Sequence, residues 1–191
     1  CTNIECPAQV VERMIHFVSK DAMDMRGFGE ANVRRFYEMG LIKDIPSLYL
    51  LDFTKLKGLD GFGQKSIDNL QSAIELSKKQ PLNRLIYALG IRFVGETTAK
   101  TLAQAVSHLL DFKGFSLEQL QHLEDVGPKV GGSIYQFFSN ADNITMLTEL
   151  EKLGLTLKNE KKQLGGTGNL TGQTFLFTGT LPTLKRSQAE A

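Results

Sequence analysis

From Ala8 to Leu153 the apolar residues recur three and four positions apart, as at Ile67, Leu70 and Ile74, and strict alternation is almost absent. A period near 3.6 places such residues on one face of a helix, so this stretch is predicted to be all-α, its stripes forming the core. Four short apolar runs, "DAMDM", "DFTKLKGL", "LNRLIYALG" and "SLEQLQHL", each lead through a glycine-containing turn into a longer amphipathic helix. Pro81 opens the third run, and Ser116 with Gln119 gives the fourth the spacing of a capping box.

The turns repeat. "MRGFGEANV" begins at Met25 and "LDGFGQKSI" at Leu59; "IRFVGETTAKTLA" follows at Ile91 and "LEDVGPKVGGSIYQF" at Leu123. In each, an apolar residue (Phe28, Phe62, Val94, Val126) precedes a glycine that opens a helix: Gly29, Gly63, Gly95 and Gly127, spaced 34, 32 and 32 residues apart. The preceding glycine is less regular, since Gly27 and Gly61 give way to Phe93 and Asp125. Four short helix-turn-helix units in tandem are expected.

A glycine turn that opens a helix presents free N–H groups at the positive end of the helix dipole, which suits an anion and most often a phosphate. A side chain at the helix-side glycine is expected to suffer from a positive φ as well as to block that approach. A single copy would read as an ordinary tight turn; four copies favour the anion site. Candidate phosphate-binding positions are therefore Gly27, Gly29, Gly61, Gly63, Gly95 and Gly127. Arg26, Lys65, Arg92, Lys100 and Lys129 lie in or just after the turns, with Thr97 at the third helix start. The alternative for any one cation is a place on the ordinary solvated surface.

Charge alone does not announce a nucleic-acid partner, because 22 Lys and Arg face 21 Asp and Glu, for a net charge of +1. Backbone N–H groups and a few local cations nevertheless suffice to grip phosphates. No signal peptide, membrane span or lipidation motif is readable, so a cytosolic parent without a membrane partner is expected.

The repeated units resemble the helix-hairpin-helix motif, a DNA-binding element without sequence specificity. "YALGIRFVGETTAKTLA" (residues 87–103) is more specifically similar to the third such motif of the bacterial NAD-dependent DNA ligases. The order of features agrees: "CTNIECPAQ" resembles the last ligand pair of their four-cysteine zinc finger, four hairpins follow, and "LTGQTFLFTGTL" resembles the first strand of their BRCT domain. The resemblance implies a division into 1–20 (finger tail and connecting helix), 21–154 (helix-hairpin-helix domain), 155–172 (flexible linker) and 173–191 (truncated α/β BRCT start). The first residue, Cys1, and the ending "KRSQAEA" are expected to mark a piece cut from a longer polypeptide.

It further implies a parent that seals 3′-hydroxyl, 5′-phosphate nicks in replication and repair, using NAD, Mg²⁺ and an adenylated lysine outside this sequence. This chain would bind nicked duplex DNA alongside the other domains of the ligase, in the bacterial cytoplasm at the nucleoid, and would hold no catalytic residue. Zn²⁺ would be held by Cys1 and Cys6 together with two cysteines upstream. From the residues alone, the pair could also form a disulfide, which a cytosolic setting argues against, or stay as free thiols. Two cysteines cannot fill a tetrahedral site, and His16 reads as a partly buried core histidine rather than a third ligand.

"KGLDG" at Lys57 resembles the lysine-x-aspartate-glycine adenylation motif but carries one residue too many, and it overlaps the second turn. The rival reading is a non-enzymatic tandem helix-hairpin-helix module, or a scaffold, of recombination or excision repair.

Overall fold

A computed structural model describes residues 7–159 of the chain. Nine α-helices follow one another there: α1 (Pro7–Val18), α2 (Glu30–Glu38), α3 (Ile45–Tyr49), α4 (Gln64–Ser77), α5 (Leu82–Ala88), α6 (Glu96–Ala105), α7 (Leu117–Gln121), α8 (Pro128–Ser139) and α9 (Ala141–Lys152). Two 3-10 turns, Phe53–Leu56 and Leu109–Gly114, complete the elements, and no strand occurs among the described residues. The all-α expectation holds for this part of the chain.

Each turn joins elements that pack on each other: α1 with α2, the 3-10 turn Phe53–Leu56 with α4, α5 with α6, and α7 with α8. The first two units depart from the expected pattern. "DAMDM" is not helical; α1 stops at Val18, and residues 19–25 form hydrogen-bonded turns in which Asp24 takes a φ of 48°, incompatible with helix. In the second unit the apolar run makes a single 3-10 turn, opened where the Asp52 carboxylate accepts the Thr54 N–H.

One core runs through the whole body, from Val11 to Leu157. Its first half centres on Phe36, whose ring lies 5.7 Å from Phe28 and 5.3 Å from Phe62, so that α2 holds the first two turns together. In the second half Phe112 sits 5.1 Å from Phe138 and 5.2 Å from Phe115. The halves meet where α1 packs on α3 and α5, and α9 on α3 and α8. Met14 and Phe17 of α1 are fully buried, so this helix, assigned above to a connecting segment, is a central part of the core.

The linker expected from Leu155 also needs correction over its first residues. Leu155 and Leu157 are buried, the Thr156 N–H donates to the Lys78 carbonyl, and Asn159 donates to the Ala103 and Ser107 carbonyls. Alternate burial of two leucines pins the segment where the lysine-rich composition suggested solvent. The helical body therefore extends through residue 159. The expectations for Cys1 and Cys6, for residues 160–172 and for the BRCT start lie outside the described residues.

Phe36→Ala and Phe112→Ala are each expected to cost about 3–5 kcal/mol in urea denaturation, as for other large-to-small changes in a close-packed core. A loss below about 1 kcal/mol at either site would show that these rings do not organise their halves.

Candidate nucleic-acid interface

All four turns are built alike. The N–H of the apolar residue donates to the carbonyl three positions earlier: Phe28 to Met25, Phe62 to Leu59 and Val94 to Ile91 at 3.0 Å, and Val126 to Leu123 at 3.2 Å. The residue before it, third in the turn, takes a positive φ: Gly27 at 91°, Gly61 at 82°, Phe93 at 66° and Asp125 at 60°. That is the position at which a type II turn requires φ > 0. A non-glycine residue in this region costs roughly 1–2 kcal/mol. The third and fourth turns carry that cost and keep the shape.

The helix-side glycines behave differently from expectation. Gly29, Gly63, Gly95 and Gly127 have φ of −68°, −74°, −89° and −79°, in extended backbone that any residue adopts. A Cβ built on any of them would meet nothing within 4 Å. Neither conformation nor internal packing demands glycine there, so the positive-φ requirement belongs to the residue two positions earlier.

These glycines are also N-caps without a capping side chain. Elsewhere the body caps its helices: Asp44 accepts the Ser47 N–H, Ser116 accepts the Gln119 N–H, and Asn140 accepts the Asp142 N–H. Pro81, ahead of α5, is the other uncapped start among the helices whose N-cap residue is described. The second helices of all four units thus present unsatisfied N–H groups beside an exposed glycine.

The candidate side chains surround these starts. Arg26 is 83% exposed, with Asp24 at 3.7 Å. Lys65, Thr97 and Lys129 are exposed in the first turns of α4, α6 and α8, and Lys100 one turn further along α6. Arg26 and Arg92 occupy the second place of the first and third turns, where the second and fourth carry Asp60 and Glu124. The local fields therefore differ between odd and even turns.

The first two turns are braced together: Arg35 of α2 donates to the Asp60 carbonyl at 2.8 Å, and a Cβ built on Gly27 would lie 3.6 Å from the Leu70 side chain of α4. Lys20 was missed by sequence reasoning. It lines both a cleft of about 520 Å³ at Gly27 and Gly29 and one of about 330 Å³ that includes Glu96 and Lys100 of α6. Only the packing of α5 against residues 20–22, through Arg84 to the Ala22 and Lys20 carbonyls, brings Lys20 there.

A helix-hairpin-helix family model matches residues 84–147, which contain the third and fourth turns. The chain is 53% identical over 190 of its 191 residues to the DNA ligase of Sulfurihydrogenibium azorense, covering 27% of that protein. It is 53% identical over 191 residues to the DNA ligase of Persephonella marina and 47% identical over 190 residues to that of Aquifex aeolicus, covering 26% of each. Along its whole length the chain is homologous to bacterial DNA ligases. The chain spans about a quarter of the length of these curated relatives. Among its described residues, no cluster of His, Cys, Asp or Glu could hold a metal ion, and no helix is long and apolar enough to cross a membrane.

The division of roles within the segment's turns is open to a direct stability test. Gly27→Ala is expected to cost about 1–2 kcal/mol in urea denaturation because it forces a side chain to positive φ. Gly29→Ala should cost less than about 1 kcal/mol, the usual difference between these residues at an N-cap. Equal losses would contradict the assignment.

Proposed function

We propose that this chain is a segment of a DNA ligase and holds duplex DNA by its phosphates, through all four turns acting as helix-hairpin-helix units, without reading base sequence. The first two turns are included because they share the hydrogen bond, the positive φ and the uncapped helix start of the two that the family model covers. The carrying observation is the set of helix-side glycines that nothing inside the protein requires. A residue without a side chain, beside free N–H groups at the positive end of a helix, lets a phosphate oxygen come within hydrogen-bond distance of the backbone. Arg26, Lys65, Arg92, Lys100 and Lys129 add charge-assisted contacts, with Thr97 as a hydroxyl donor.

In this reading, the parent enzyme seals nicks with NAD and Mg²⁺ in the bacterial cytoplasm. Cys1 and Cys6 belong to a zinc finger completed by residues upstream. The adenylation chemistry lies in other domains, so labelled NAD incubated with this chain and Mg²⁺ should leave no covalent adduct on denaturing electrophoresis. A labelled band would place a nucleotidyl-accepting lysine here and overturn that division. Identity to ligases across the whole chain favours this reading over a free-standing repair module or scaffold.

The decisive variants replace each helix-side glycine by asparagine, a good N-cap residue. Gly29→Asn, Gly63→Asn, Gly95→Asn and Gly127→Asn should melt no lower than the parent chain. At hairpins that grip DNA they should weaken binding to unrelated duplexes by about tenfold, equivalent to about 1.4 kcal/mol. Fluorescence anisotropy at several salt concentrations should also show affinity falling steeply with salt for every duplex. If all four variants bind like the parent, the turns are structural only.

A further inference from the structure

Phe93 is the one apolar residue with a positive φ among the described residues, and it is 53% exposed. The fold needs neither the side chain nor the strain, because the first two turns make the same shape with Gly27 and Gly61. A bulky residue held in the left-handed region at an exposed tip is an outlier whose explanation lies outside the folded chain. The Arg92 guanidinium lies over its ring, 4.8 Å from the centroid, so the aromatic carries a cation with it.

The surroundings point to the same ligand. Beside Phe93 lies a cleft of about 250 Å³ toward α8 and α9, whose lining includes Arg13, Arg92, Ser133 and Gln136 and contains no carboxylate. The cleft at Lys20, in contrast, mixes its cations with Asp21, Asp24 and Glu96. The Asn143 amide donates to the Phe137 carbonyl and the Asn140 Oδ1 accepts from the start of α9, so Arg13, Arg92 and Gln136 bring the cleft its long-armed donors. Guanidinium and amide groups beside an apolar wedge are the chemistry that reads the acceptor-lined minor groove, where apolar side chains enter and unstack base steps.

We propose that Phe93 is an apolar wedge that enters the minor groove of duplex DNA beside the third turn and inserts at a base step, with Arg13, Arg92 and Gln136 reaching the groove edges. The proposal deepens the phosphate-binding reading and rests on it: the Gly95 turn holds the backbone, and Phe93, two residues earlier, reaches the stack alongside.

The test uses Phe93→Gly, which gives the third turn the form of the first two, and Phe93→Leu, which keeps an apolar wedge. Each is titrated into a short duplex carrying 2-aminopurine at alternate steps, with anisotropy and probe emission recorded together. The parent chain should raise the emission as bases unstack. Phe93→Gly should melt no lower, bind about tenfold more weakly and leave the emission flat, while Phe93→Leu should stay within about threefold of the parent. If Phe93→Gly binds and brightens the probe as the parent does, the wedge is overturned. Emission that stays flat even with the parent chain bound overturns insertion too. In both cases salt-steep binding that Gly95→Asn still weakens leaves the phosphate reading standing. A parent chain that shows no salt-dependent duplex binding removes both.

Discussion

The structure depends on one constraint applied four times: the residue between the two turn positions points inward while its neighbours on both sides face solvent. Phe28, Val94 and Val126 are buried and Phe62 is half-buried, whereas Gly27, Gly29, Gly61, Gly63, Phe93, Gly95, Asp125 and Gly127 are all exposed. The apolar anchor and the turn hydrogen bond hold the backbone so that the next helix must begin at the surface. Removing the anchor from the core would release the helix start, which is why core and helix start cannot be separated in this protein.

That constraint explains how the third turn position tolerates four occupants of three kinds. The anchor and its hydrogen bond impose the positive φ whether or not the residue suits it. Glycine accommodates it freely, aspartate is among the residues that tolerate it, and phenylalanine does so only because the surrounding packing over-determines the backbone. The turns therefore share geometry and differ in chemistry: Arg26 and Arg92 beside two of them, Asp60 and Glu124 beside the others. A net charge of +1 hides this local contrast completely.

Much of the framework was legible in the chain. The repeat of helix-side glycines located all four turns, and the 3.6 period located the helices after them, because local periodicity and turn chemistry act over a few residues. What sequence could not show depends on tertiary packing. Positive φ falls at Gly27 and Gly61 rather than at Gly29 and Gly63 because the turn hydrogen bond makes them its third residues, a register the glycine spacing alone does not give. Lys20 and Arg13 lie outside the turns and reach them only through the packing of α1 and α5. Leu155 and Leu157 looked like part of a polar linker because two leucines give no periodicity to read, yet both are buried.

The uncapped helix starts show where stability is given up. An N-cap side chain is worth typically about 1 kcal/mol over alanine and a few tenths over glycine, and this protein uses one at Asp44, Ser116 and Asn140. At α2, α4, α6 and α8 it forgoes that gain four times. A chain able to cap its helices, and leaving these four open in the same setting, has local stability opposing another requirement there. Departures from local consistency of this kind concentrate at functional sites. A contiguous core from Val11 to Leu157 backs the four open helix starts. For the proposed phosphate contacts such placement counts, because a backbone donor held by the fold loses little freedom on binding, whereas a long cationic side chain must be ordered at that moment.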